Sequence, residues 1–154
     1  MVDLYRKNAG AIVINKDKKV LLCRRLDITD AWQFPQGGIE EGESPSLAAK
    51  RELYEETSIK NVKLIKTLDN PIRYHFPQEI LEKMQKRGFS NLGQDIYWSF
   101  FLFEGNDDEI NLQTIEPEFS EFIWTTMQKA VELVVDFKKE AYLIAQEKLE
   151  DIEI

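Results

Sequence analysis

One cysteine, Cys23, and one histidine, His75, stand in 154 residues. A lone thiol excludes an internal disulfide and fits a reducing compartment. A lone imidazole without thiol partners excludes the usual zinc ligand sets. The 7 glycines and 5 prolines build no low-complexity tract, and no linker divides the chain. Long apolar runs are missing as well: residues 96–103 fall far short of a bilayer span and include Ser99. Residues 1–8 are polar and carry no apolar signal core. Positive charge is scarce, with 20 Lys and Arg against 28 Asp and Glu and a net charge of −8. Generic nucleic-acid affinity comes from neutralising phosphates, so DNA and membranes are not expected partners. Any polyanionic substrate must meet a local basic patch or a bound cation. These limits lead to the expectation of one domain over residues 1–154, cytoplasmic and monomeric, with weak self-association left open.

What is present suffices for a core: 43% of the residues are hydrophobic, and a chain of this length can fold without disulfides or a structural metal. Residues 10–14 and 20–23 read as a hairpin around Asn15-Lys16-Asp17-Lys18. Trp32-Gln33-Phe34-Pro35 and Gly37-Gly38-Ile39 are short extended pieces around a Gly-rich turn. Ser44-Pro45 is a strong helix start, and the helix should run over 45–57. Strands are expected at 62–68, 72–76, 95–103 and 122–124, with a short helix at 78–86. The stretch 127–150 has helical spacing through Val134, Phe137, Ala141, Ile144 and Ala145, with a break near Val135 and Asp136 as a second cap. Trp32, Trp98 and Trp124 read as core. The fold class is α/β, a sandwich with a mixed central sheet between helices.

Chemistry concentrates between Gly37 and Ile59. On a helix, Glu52 lies three residues from Glu55 and four from Glu56, so the three carboxylates share one side. Oxygen ligands of this kind suit Mg2+ or Mn2+. Arg51, four residues before Glu55, can hold a neighbouring carboxylate. A Gly37 carbonyl can approach the same volume because glycine has no Cβ. Taken alone, such a charge run is more often a solvated face.

The wider spacing decides between these readings. Gly37, five residues, Glu43, seven residues, then Arg51-Glu52-Leu53-Tyr54-Glu55-Glu56, closed by Ile59, resembles the Nudix box of the Nudix hydrolases. One position departs: Ser58 stands where the family usually has a helix-ending glycine in a left-handed conformation. Outside the box, Tyr5-Arg6, Trp32 to Ile39, Pro117-Glu118-Phe119 and Val135-Asp136-Phe137-Lys138 resemble the bacterial RNA pyrophosphohydrolase branch, close to the dinucleoside polyphosphate hydrolases. The resemblance runs over about residues 5–149, and the insertion 77–92 is its least diagnostic part.

The resemblance implies a Nudix α/β/α sandwich that hydrolyses phosphoanhydride bonds with Mg2+, Mn2+ or another divalent cation. It implies Gly37, Glu52, Glu55, Glu56 and Glu118 as metal ligands, with Glu118 alternatively the base for the attacking water. Arg51 orients the glutamates, and Glu43 is structural. Arg6, Arg25, Tyr74, Val135, Phe137 and Lys138 are the implied substrate contacts. Periodicity alone would make Phe137 core and Arg24 and Arg25 a solvated strand end. The expected substrate is 5′-triphosphorylated RNA, with dinucleoside polyphosphates as the alternative. A catalytically silent nucleotide-binding module is the rival from another class.

Overall fold

The computed structural model describes residues 4–27 and 30–154. Residues 1–3 of the polar N-terminal stretch, and residues 28–29, lie outside it. Among the described residues, eight strands form one mixed sheet. Strand β1 (Tyr5–Ile14) turns into β2 (Val20–Arg25), pairing Ile14 with Val20. The Asn15 side chain closes the turn by accepting from the Asp17 and Lys19 amides at 3.0 Å. β1 also runs parallel to β7 (Gly93–Phe103) over its whole length and antiparallel to β4 (Gln36–Gly38). β3 (Trp32–Gln33) and β8 (Phe119–Thr125) pair with β2, while β5 (Val62–Thr67) and β6 (Ile72–His75) pair with β7.

Alternation along the central strands creates two cores. Ala9, Ala11, Val13, Leu21, Cys23, Phe101 and Phe103 face one side, where they meet Ala48, Ala49 and Leu53 of α1 (Pro45–Thr57). Ile12, Ile14, Val20, Leu22, Ile96, Trp98 and Phe100 face the other, against Ala130 and Val131 of α3 (Met127–Leu133) and Ala141, Tyr142 and Ala145 of α4 (Lys139–Glu150). The short helix α2 (Gln78–Lys86) lays Ile80, Leu81 and Met84 onto this second core. Each large apolar side chain buried in these layers contributes about 1.5–3 kcal/mol. The polar ends of the core aromatics are satisfied: Trp98 donates to the Ala141 carbonyl at 3.2 Å, and Tyr142 Oη accepts from the Phe34 amide at 2.8 Å. None of these helices is long and apolar enough to cross a membrane.

Three details correct the sequence reading. β1 begins at Tyr5, not Gly10, because its polar first half gains backbone partners on both sides despite exposed side chains. Asp136 does not cap α4; it opens a 3-10 turn (Asp136–Lys138), whose N-cap is Val135, and Lys138 occupies the N-cap position of α4 without a side-chain capping bond. Trp32 and Trp124 are only half-buried, Trp124 stacked on Phe103 and donating to Asp107 at 3.0 Å.

Candidate active site

The local sequence fixes α1 at both ends. The Ser44 hydroxyl accepts from the Leu47 amide at 3.3 Å, and Pro45 occupies the first helical position. At the other end Ser58 adopts φ 67°, and its amide donates to the Tyr54 carbonyl at 2.8 Å. The Ser58 hydroxyl also donates to the Asn111 carbonyl at 2.9 Å, a contact that glycine cannot make. A left-handed non-glycine residue costs about 1–2 kcal/mol, and a hydrogen bond returns about 0.5–1.5 kcal/mol. Ser58→Gly should therefore shift the melting temperature by little, while amide exchange quickens in the loop at Asn111. A fall of many degrees would mean that the Asn111 tether dominates.

Within α1, Arg51 spends its donors on one cluster. It reaches Glu43 at 2.7 and 2.9 Å, Glu52 at 2.9 Å, Glu55 at 3.2 Å and the Gly38 carbonyl at 2.9 Å. The hydrogen bonds from Arg51, joined by the Glu40 amide, hold the Glu43 carboxyl down at about 2. Glu43 thus anchors Arg51, and Arg51 ties the turn to the helix. Glu52 meets that turn so closely that a Cβ on Gly37 would collide with its carboxylate. Only glycine allows this approach.

The three helix glutamates differ in environment. Glu55 is exposed, Glu52 is half-buried, and Glu56 is 4% exposed. Both Glu56 oxygens lack a hydrogen-bond partner. Burial pushes its carboxyl well above the ordinary range, and the charges of Glu118 and Glu52 push it further. Burial likewise raises Glu52, against the lowering influence of Arg51. Glu52, Glu55, Glu56 and Glu118 line a cavity of about 470 Å³ together with Tyr54, Ser58, Thr114, Ile115 and Glu116. Among the described residues, no three acidic, imidazole or thiol groups are drawn together tightly enough to enclose an ion. The donor set nonetheless fits a hard divalent cation. A buried carboxylate with two free oxygens beside two further carboxylates is costly until a cation neutralises it.

Across the sheet lies a second group. Burial lowers Lys138 to about 7, helped by the charge of Arg25. Its ammonium donates to the amide oxygens of Gln33 and Gln36, both at 3.4 Å, and lies 5.9 Å from the ring centroids of Tyr74 and Phe137. The resemblance implies a phosphate contact for Lys138, whose side chain is 6% exposed beside Gln33 and Gln36. Gln36 also donates to Asn8 at 3.3 Å, Tyr74 at 3.1 Å and Gln94 at 3.2 Å, and Tyr74 donates to Gln94. Phe137 is half-buried against Tyr74 and Phe76, with ring centroids 5.8 and 6.0 Å away, and Val135 is half-buried beside the same core. Arg6 packs on Gly38, where a Cβ would displace its guanidinium. Arg25 is held by Asp27 through two bonds of 2.9 and 2.6 Å. Burial raises the Asp27 carboxyl, but Arg25, joined by the charge of Arg87, outweighs it and holds the group below its ordinary value. Arg24 pairs outward with Asp30 and Glu121 at 3.3 and 3.6 Å.

Sequence reasoning missed Thr114, whose buried hydroxyl has no partner on the cavity wall, and the Asn8–Gln36–Gln94 amide cluster. Neither carries a local pattern. Cys23 is buried, and burial together with the Glu56 charge pushes its thiol far up, so it is no nucleophile.

Comparison with known proteins places this geometry. The NUDIX domain profile matches residues 4–146. An RNA pyrophosphohydrolase of Pelagibacter ubique is 44% identical over 148 residues, covering 96% of this chain and 92% of that protein. Nudix hydrolase 26, chloroplastic, of Arabidopsis thaliana is 44% identical over 142 residues, covering 90% of this chain and 66% of that protein. The solved structure of the E. coli dihydroneopterin triphosphate pyrophosphohydrolase shares the fold, with a TM-score of 0.67 at 20% identity over 91% of this chain and 95% of that one. With the family profile matched over most of its length and such a relative spanned nearly end to end, the chain belongs to the NUDIX domain family.

Proposed function

We propose that this protein removes pyrophosphate from the 5′-triphosphate end of RNA, working as a cytoplasmic monomer with Mg2+ or Mn2+. The carrying observation is Glu56: a buried carboxylate with both oxygens unpartnered, beside Glu52 and Glu118 in one cavity. The substrate reading is supported by the 44% identical relative named RNA pyrophosphohydrolase. Nudix hydrolases use divalent cations, and Glu52, Glu55, Glu56 and the Gly37 carbonyl would hold them here. When bound, such ions offset phosphate charge and make water more acidic.

The chain's own residues supply position and proton transfer. Arg51 fixes Glu52 and Glu55 relative to the Gly37–Gly38 turn, so the ligand set is preorganised from one side. Glu118, on the cavity wall, takes the proton of the attacking water. Arg6 and Arg25, with the buried Tyr74 and Lys138 close to Arg25, are assigned to the phosphates, and Phe137 with Val135 to the second base. An anionic substrate favours the charged form of Lys138, so binding is accompanied by proton uptake near neutral pH. The intact carboxylate set argues against a silent module.

Phe137→Ala tests the RNA reading. Losing one stacking partner is worth about 1–3 kcal/mol, so cleavage of triphosphorylated RNA should fall about tenfold or more. A mononucleoside triphosphate, which has no second base, should be cleaved nearly as before. Equal losses on both substrates, with a lowered melting temperature, would make Phe137 purely core.

A further inference from the structure

The insertion that the family resemblance explains least ends in an exposed aromatic next to the site. Phe89 is 37% exposed, and the Arg6 guanidinium lies 6.0 Å from its ring centroid. That same guanidinium packs on Gly38, whose neighbour Gly37 meets Glu52. Phe89 is therefore next to Arg6, a proposed phosphate contact that itself packs on the Gly37–Gly38 turn. Its position is built, not loose. Ile80, Leu81 and Met84 anchor α2 in the core, and the Phe89 amide donates to the Met84 carbonyl at 2.9 Å. Gly88 supplies the left-handed turn at φ +87° that brings the ring round.

The surrounding charge suits a polyanion despite the chain's net −8. Lys83, Lys86 and Arg87 lie exposed at the C-terminal end of α2, while Glu79 and Glu82 sit nearer its start. Arg87 lies near enough for its charge to act on Asp27, the partner of Arg25. At the end of the same insertion, Leu92 is exposed and its amide donates to the carbonyl of the exposed Leu4 at 2.7 Å. An exposed aromatic beside one arginine, on a segment that carries further cations, is what binds single-stranded RNA without sequence preference.

We propose that Phe89, beside Arg6 and two residues after Arg87, is a second stacking platform, which takes an RNA nucleotide downstream of the one beside Phe137. It rests on the RNA reading above and makes the enzyme prefer strands longer than two nucleotides. The test uses the full chain with Mg2+ and 3′-fluorescein RNAs of two and six nucleotides carrying a 5′-monophosphate, so that binding is read without hydrolysis. The six-nucleotide RNA should bind about tenfold more tightly than the two-nucleotide RNA. Phe89→Ala should erase that gain and leave the two-nucleotide affinity unchanged, while Phe89→Trp should keep it. Arg87→Ala should weaken only the longer RNA and flatten its salt dependence by about one phosphate contact. Equal affinities for both lengths in the unaltered protein, or equal losses on both in Phe89→Ala with an unchanged melting temperature, would overturn the platform. In either case intact cleavage of a triphosphorylated dinucleotide leaves the RNA reading standing. No binding at either length, with the triphosphorylated dinucleotide uncleaved, would overturn both.

Discussion

Glu56→Gln should lower turnover by at least about a hundredfold, some 2.7 kcal/mol of transition-state stabilisation, while the protein stays folded. The amide is the same size as the carboxyl but is a poor replacement for an anionic cation ligand. The substitution should also stabilise the metal-free protein. In the fold, burial and then Glu118 and Glu52 raise the Glu56 carboxyl far above its unfolded value. Above that unfolded value, near 4.3, the folded state holds the extra proton, so this group erodes stability as the pH rises. The variant lacks that penalty. Its metal-free melting temperature at pH 7–8 should exceed that of the unaltered protein, and added Mg2+ should raise it less. Near-normal turnover at saturating Mg2+ would remove Glu56 from the site.

Lys138→Met should trade activity for stability. Burial brings the Lys138 ammonium from 10.5 to about 7. Between those values the unfolded chain holds more protons, so this group favours folding increasingly as the pH climbs through that window. Below about 7 its full cost is present. Methionine fills the same space without charge. Allowing for the Gln33 and Gln36 oxygens left without a donor, the gain should be about 2–4 kcal/mol at pH 6–7 and shrink toward pH 10. That corresponds to a rise in melting temperature of about 5–15 °C. Cleavage of triphosphorylated RNA should fall more than about tenfold, as expected for losing a charged hydrogen bond worth about 1.5–3 kcal/mol. A lower melting temperature at every pH would mean that Lys138 is a structural group held by its glutamines.

These two residues also mark where sequence reading reached and where it stopped. Helix α1 was legible to the residue, since Ser44-Pro45 starts it and the Ser58 position ends it, and both signals are local. So was α2, where Pro77 precedes the helical pattern. The carboxylate cluster was legible as a spacing, but its inequality was not. That Glu56 is buried and Glu55 exposed depends on β1 and the loop carrying Glu118, far away in sequence. Lys138 follows Phe137 and reads as a substrate contact, with no local sign that it is buried. Its burial arises because the break after α3 turns it inward onto Gln33 and Gln36, about a hundred residues earlier. The same limit hid the start of β1: Tyr5, Arg6 and Lys7 carry no strand pattern, and their order comes from β7 and β4.

The most direct measurement offers the purified protein triphosphorylated RNA and diadenosine tetraphosphate side by side, with Mg2+ and then with Mn2+, and identifies the products. The account predicts pyrophosphate and 5′-monophosphorylated RNA, with a higher kcat/KM than for the dinucleotide, and loss of both activities in Glu56→Gln. Faster cleavage of diadenosine tetraphosphate, or no divalent-dependent release of pyrophosphate or phosphate from RNA, would contradict it.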